Sequence, residues 1–94
     1  MSFTILYHPA VKRDVKKLNK SVAKIIQKEI SQEIANNPFN GKQIKSRFSI
    51  YAWRIRKSKT DYRIAYEIRQ DKQEVVVLMI KSRENFYKEL DKRI

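Results

Sequence analysis

Apolar positions in the first third of the chain recur at helical spacing, and in the second half at every other residue. Phe3 to Tyr7 (FTILY) reads as a short first strand. His8-Pro9 then starts a helix, because proline fits the first helical position, where its missing N–H costs nothing. Val11, Val15 and Leu18 share one face of that helix, with Lys12, Arg13, Lys16 and Lys17 elsewhere. Asn19-Lys20 interrupts the pattern, Ser21 can cap a second helix, and Val22, Ile25, Ile26, Ile30 and Ile34 form its apolar stripe. Asn36-Asn37-Pro38 ends it, since the residue before proline avoids the helical region.

The period then falls from about 3.6 to about 2. Tyr51, Trp53 and Ile55 point one way, Arg54 and Arg56 the other. A turn through Lys57 to Asp61 leads to a strand whose Tyr62, Ile64, Tyr66 and Ile68 oppose Arg63, Ala65 and Glu67. Arg69 to Gln73 is polar enough for another turn. Glu74 to Ile80 contains VVVLMI, apolar on both faces, as in a central strand covered from both sides. A short helix follows from about Glu84, with Phe86 and Leu90 inward. The grouping predicts an α+β fold: an N-terminal strand and helical hairpin packed on a four- to five-stranded, largely antiparallel twisted sheet, then a short C-terminal helix. The hairpin and the strand face bearing Trp53, Ile55, Ile64, Tyr66, Val75 and Val77 enclose one core. The opposite face collects Arg54, Arg56 and Arg63, and Arg83 joins them if the last strand leaves Ser82-Arg83 at its mouth.

Charge sharpens this picture. The 94 residues, read as a single domain over 1–94, carry 22 Lys+Arg against 10 Asp+Glu, a net charge of +12. Between Lys42 and Arg63 eight cations (Lys42, Lys45, Arg47, Arg54, Arg56, Lys57, Lys59 and Arg63) meet one acid, Asp61. For any one arginine an ordinary solvent-facing charge is the simpler reading. Three on one face, with almost no acids between them, point to phosphate and hence to nucleic acid. Cysteine is absent and histidine occurs once, so disulfides, thiol chemistry and a zinc site are excluded and no cofactor is expected. No apolar run approaches the roughly 20 residues of a membrane span, and the N-terminus does not read as a signal peptide, which makes the cytoplasm the expected location.

These residues together resemble the RelE/ParE superfamily of toxin–antitoxin toxins over nearly the whole chain. The resemblance lies in Tyr7-His8-Pro9-Ala10 with Arg13-Asp14 and Leu18, in Asn37-Pro38, and in Ile44-Lys45. It continues through Trp53-Arg54-Ile55-Arg56, Tyr62-Arg63-Ile64-Ala65-Tyr66-Glu67, Ser82-Arg83 and Tyr87. The RelE branch implies a microbial-ribonuclease-like fold, ribosome-dependent cleavage of mRNA in the A site, and a cognate antitoxin that wraps the toxin in a hetero-oligomer. The ParE branch implies the same fold turned against DNA gyrase, generally without the terminal arginine and tyrosine. Keeping Arg83 and Tyr87 favours RelE. Many relatives carry His where this chain has Ser82, so an imidazole acid–base mechanism does not carry over.

On this reading the catalytic set is Arg63, Arg83, Tyr87 and Lys45, with Arg54, Arg56, Lys57 and Lys42 binding flanking phosphates. Metal-independent RNA cleavage uses the substrate's 2′-hydroxyl as nucleophile and needs cations for charge developing on phosphorus. Arginine suits that task because its planar fork matches phosphate oxygens. Crowded lysines (Lys45, Lys57) are candidate bases, since like charge disfavours their protonated form. Glu67 is a candidate carboxylate, although neutralising a neighbouring arginine is the simpler role. His8 reads as a capping or surface residue, and Trp53 and Tyr66 as core. A ParE-like gyrase inhibitor and a non-catalytic nucleic-acid-binding module remain as competing readings. No membrane and no small-molecule ligand are expected.

Overall fold

The computed structural model describes residues 2–44, 47–57, 60–82 and 84–94, and the side chains of all of these except 47, 48, 57 and 60. The chain runs β1 (Thr4–Tyr7), α1 (Val11–Lys16), α2 (Lys20–Lys28), β2 (Lys42–Ile44), β3 (Arg47–Lys57), β4 (Thr60–Arg69), β5 (Glu74–Ser82) and α3 (Phe86–Arg93). The α2 rod widens into a π-helical stretch over Glu29–Ile34, and short 3₁₀ turns occupy Pro38–Asn40 and Gln70–Lys72. The strands lie in the order β1-β5-β4-β3-β2. Of the described strand pairs only β1–β5 is parallel, because the helical hairpin carries the chain away after β1. This is the α+β architecture that the change of period foretells.

Local chemistry corrects two helix starts. Pro9 stands in a turn before α1 rather than at its first position. His8 shapes that turn: its Nδ1 accepts from the Ala10 N–H at 3.1 Å, and its carbonyl from the Val11 N–H at 2.9 Å. The second helix is capped by Asn19, not Ser21. The Asn19 side-chain oxygen accepts from the Val22 N–H at 2.9 Å and from the Ser21 hydroxyl at 2.8 Å, so Ser21 is already inside the first turn.

The expectation of one enclosed core is also corrected. On the helical side Val11, Ile26, Ile30 and Ile34 pack with Ile55, Ile64, Tyr66, Ile68, Val75, Val77 and Ile80. On the other side α3 lies across the sheet, and Phe86 and Leu90 close a second cluster with Ile50, Ala52, Ala65, Leu78 and Met79. That explains why the β5 run is apolar on both faces. Val15, on the apolar face of α1 with Val11, is 39% exposed, because the space between α1 and α2 is an open cleft of about 750 Å³.

Between Ala65 and Tyr66 the β4–β5 register slips: Ala65 pairs with Met79 but Tyr66 with Val77, leaving Leu78 as a bulge. Beyond this point β1 no longer flanks β5. Asp14 of α1 accepts from the Ile80 N–H at 3.0 Å, while Arg93 of α3 donates to the Leu78 carbonyl at 3.1 Å and pairs with Asp14 at 2.6 Å. One ion pair therefore ties both helices to the free edge of β5.

Candidate nucleic-acid interface

The α3 helix covers only part of its sheet face, and the uncovered part is cationic. Directly opposed residues on neighbouring strands share a face. Arg54 opposes Arg63 and Arg63 opposes Lys81, so three cations form a row across β3, β4 and β5. The row below it, Ala52, Ala65 and Met79, is buried, and Lys42 opposes Ala52 on β2. Arg56 and its partner Asp61 extend the charged part toward the β3–β4 turn. Small and apolar side chains under α3 thus give way, within one strand repeat, to guanidinium and ammonium groups.

Tyr87 stands at the boundary. Phe86 takes the buried position of α3, while Tyr87 is 42% exposed and meets Phe86 edge-on at 5.2 Å between centroids. The Arg63 guanidinium carbon lies 5.6 Å from the centre of the Tyr87 ring, within cation–π range. Tyr87 also lines a shallow cavity of about 220 Å³ with Lys42, Gln43 and Ile44. The ring is therefore available to a ligand instead of being consumed in packing.

Ion pairing divides the cations. Arg54 donates to Asp61 from both Nε and Nη2, the shortest contact being 2.7 Å. The Arg54 hydrogen bond holds the Asp61 carboxyl below the usual carboxylate range, with Arg63 and Arg56 adding to the effect and partial desolvation opposing it. Lys81 lies 3.6 Å from Glu89 of α3. Neither Arg56 nor Arg63 forms an ion pair with any described residue. Glu67 shares the Arg63 face but is engaged by Arg69 at 2.9 Å, which is the neutralising role.

Of the sequence-derived site residues, the structure brings Arg63, Tyr87, Arg54, Arg56 and Lys42 to one face. Lys57 lies on β3 with its side chain outside the described set, and Lys45 and Arg83 lie outside the described residues. Sequence reasoning missed Lys81. Its signal was concealed: an all-apolar run offers no alternation from which to count parity, and the Leu78 bulge resets that parity just before Lys81. His8 belongs to the other side of the sheet, where it lines the α1–α2 cleft with Tyr7, Val11 and Ile80. Among the described residues no group of three or more His, Cys, Asp or Glu side chains could hold a metal ion.

This fold is that of the RelE toxins. A double-arginine mutant of Escherichia coli toxin RelE in the free state matches with a TM-score of 0.80 at 22% identity, over 100% of this chain and 99% of that one. The RelBE2 toxin–antitoxin complex of Mycobacterium tuberculosis matches at 0.75 and 21% identity, over 88% and 100%. An archaeal RelE–RelB complex from Pyrococcus horikoshii matches at 0.56 and 17% identity, over 89% and 98%. No protein of curated function matches in sequence. The family model for ParE-like toxins of type II bacterial toxin–antitoxin systems matches residues 5–91, and the chain belongs to that family. It is a toxin of the RelE/ParE superfamily.

Proposed function

We propose that this toxin is a ribosome-dependent endoribonuclease that cleaves mRNA in the ribosomal A site, working as one domain in the cytoplasm and restrained by a cognate antitoxin. The observation that carries the reading is the Arg54–Arg63–Lys81 row, bordered by the exposed Tyr87 ring and by Arg56, which has no ion-pair partner among the described residues. Phosphate is the ligand such a row fits, and an aromatic beside it gives an unpaired base a stacking surface.

In the reaction, the substrate's 2′-oxygen attacks the adjacent phosphorus as its proton leaves, the bond to the 5′-oxygen breaks, and that oxygen takes up a proton. Arg63 carries the charge that develops on the non-bridging oxygens, and its contact with Tyr87 holds the fork in place. Lys81, two strands away from Arg54 in the same row, binds the next phosphate or the leaving oxygen. Arg83 and Lys45 complete the set by their resemblance to family positions. An acidic antitoxin fits the net charge of +12, and several solved relatives are complexes with RelB-type antitoxins.

Brief induction followed by primer-extension mapping of transcripts tests the reading. Cleavage within translated codons is expected, and Arg63→Ala should reduce it by about 10²–10³-fold, the usual loss when one preorganised donor to a developing oxyanion is removed. Unchanged cleavage by Arg63→Ala would refute the assignment. A second reading, a gyrase inhibitor without nuclease activity, is favoured by the ParE-like description of the matching family model. Induced DNA damage signalling with intact transcripts would select it.

A further inference from the structure

The acid among the β3 and β4 arginines sits where an anion is most attracted. Asp61 opposes Arg56 on the neighbouring strand, receives both arms of the Arg54 fork at 2.7–3.2 Å, and lies in the field of Arg63 as well. Arg54 keeps 41% of its side chain exposed and Asp61 22%, so the pair lies open to a ligand rather than beneath the surface. A carboxylate and a phosphate present similar paired oxygens to a guanidinium, and Arg binds either in the same two-pronged way. Arg54 and Arg63 would repel one another across β3 and β4; the carboxylate offsets that repulsion in the free protein.

We propose that Asp61 is an internal stand-in for RNA phosphate: it holds the Arg54 fork ready on the cationic row and is displaced when a backbone phosphate arrives. The inference rests on the nucleic-acid reading of this face and names Asp61 as its affinity-setting residue. Exchange of one anion for another makes Arg54 an adaptable contact. Its fork is ordered before binding, but each engagement must break an existing pair. Arg63 and Arg56 have no such competitor among the described residues and supply the first attraction.

The test measures binding of a single-stranded oligoribonucleotide, 2′-O-methylated at every position so that no 2′-oxygen can attack, by fluorescence anisotropy over a range of salt. Asp61→Asn keeps the shape and removes the charge. It should bind about two- to fivefold more tightly, the range over which an exposed ion pair can withhold affinity. The slope of log K against log salt should stay nearly unchanged, because Arg54 neutralises the same phosphate in both proteins. A steepening by about 0.7, one more neutralised phosphate, would show that Arg54 stays on Asp61 in the wild type and would overturn the exchange. In an Arg54→Ala background the same substitution should leave affinity unchanged. Tighter binding that persists without Arg54 shows that Asp61 acts only through its field, and overturns the exchange. Binding that depends on Arg63 but is indifferent to Asp61→Asn overturns this inference alone. Absence of binding by the wild type and every variant overturns the nucleic-acid reading together with it. Circular dichroism of each variant separates these outcomes from unfolding.

Discussion

Gly41 is the only glycine in the chain, and its smallness, not its backbone freedom, is what the fold uses. A Cβ at that position would land on the Tyr66 hydroxyl. That hydroxyl is buried and donates to the Pro38 carbonyl at 2.6 Å, and burial pushes its pKa far up, so it stays protonated as a donor. Tyr66→Phe should cost about 1 kcal/mol, since the Pro38 carbonyl loses its short partner and keeps only the Gly41 N–H at 3.4 Å, and Gly41→Ala about 1–3 kcal/mol through overpacking. Because removing the hydroxyl also removes the obstacle, the double variant should lose less than the sum, as thermal unfolding of all three proteins would show. Asp61 gives a second prediction. A carboxyl whose folded pKa is depressed contributes stability above its unfolded pKa, and loses that contribution as pH falls through the lowered value. Carbon-detected titration should therefore find Asp61 below the usual carboxylate range, and Arg54→Met should raise it toward that range. The sequence marked Tyr66 as core and Asp61 as an isolated acid. It could not show that each had a fixed partner, since Pro38 is 28 residues from Tyr66 and Asp61 is two residues from Arg63 yet bonds Arg54.

At the scale of elements, periodicity located the strands because β3 and β4 alternate cleanly, with Tyr51, Trp53 and Ile55 on one face and Ile50, Ala52 and Arg54 on the other. The helix starts were harder to read. A proline and a serine each satisfied a general preference, but His8 and Asn19 supplied the actual acceptors, and an imidazole acceptor just before a helix has no compositional signature. The parallel β1–β5 pairing and the placement of α3 beside the cationic row were also hidden, since both depend on contacts between distant parts of the chain. The Asp14–Arg93 pair is the element-scale clamp. Asp14→Ala leaves the Ile80 N–H and the Arg93 fork without their shared partner, at a cost of about 2–3 kcal/mol. For a domain of this size that lowers Tm by roughly 8 °C or more. Hydrogen exchange should show the Ile80 amide losing protection before the amides of β4. Unchanged exchange there would mean that α1 and α3 are held by their apolar contacts alone.

Over the whole molecule, a charge of +12 is confined to a body 34 × 28 × 22 Å, so most basic groups lie within a few screening lengths of one another. The fold is therefore expected to gain stability from moderate salt, and more from polyphosphate. A ligand at 100 times its Kd adds about 2.7 kcal/mol by mass action. Scanning calorimetry with and without polyphosphate checks this, and the increment should shrink in an Arg63→Ala, Lys81→Ala double variant. The total charge was plain from composition, but its asymmetry was not. The sheet divides the molecule into a side where helices close over Ile64 and Tyr66 and a side that α3 only partly covers. The legible part of the candidate interface was the half carried on β3 and β4, where alternation is intact. The β5 half depended on the bulge.

That irregularity has an evolutionary corollary. Leu78 is the residue the ladder can spare: losing its codon would leave Met79 opposite Ala65 and Lys81 opposite Arg63, as they are now. A codon inserted just after Met79 would do the reverse, setting Ile80 beside Arg63 and sending Lys81 to the helical side with Tyr62. Not one basic side chain would vanish, and composition and pI would scarcely change, yet the Arg54–Arg63–Lys81 row would be broken. Descendants altered in this way would keep a full inventory of the expected residues, and only the strand's phase would betray the change.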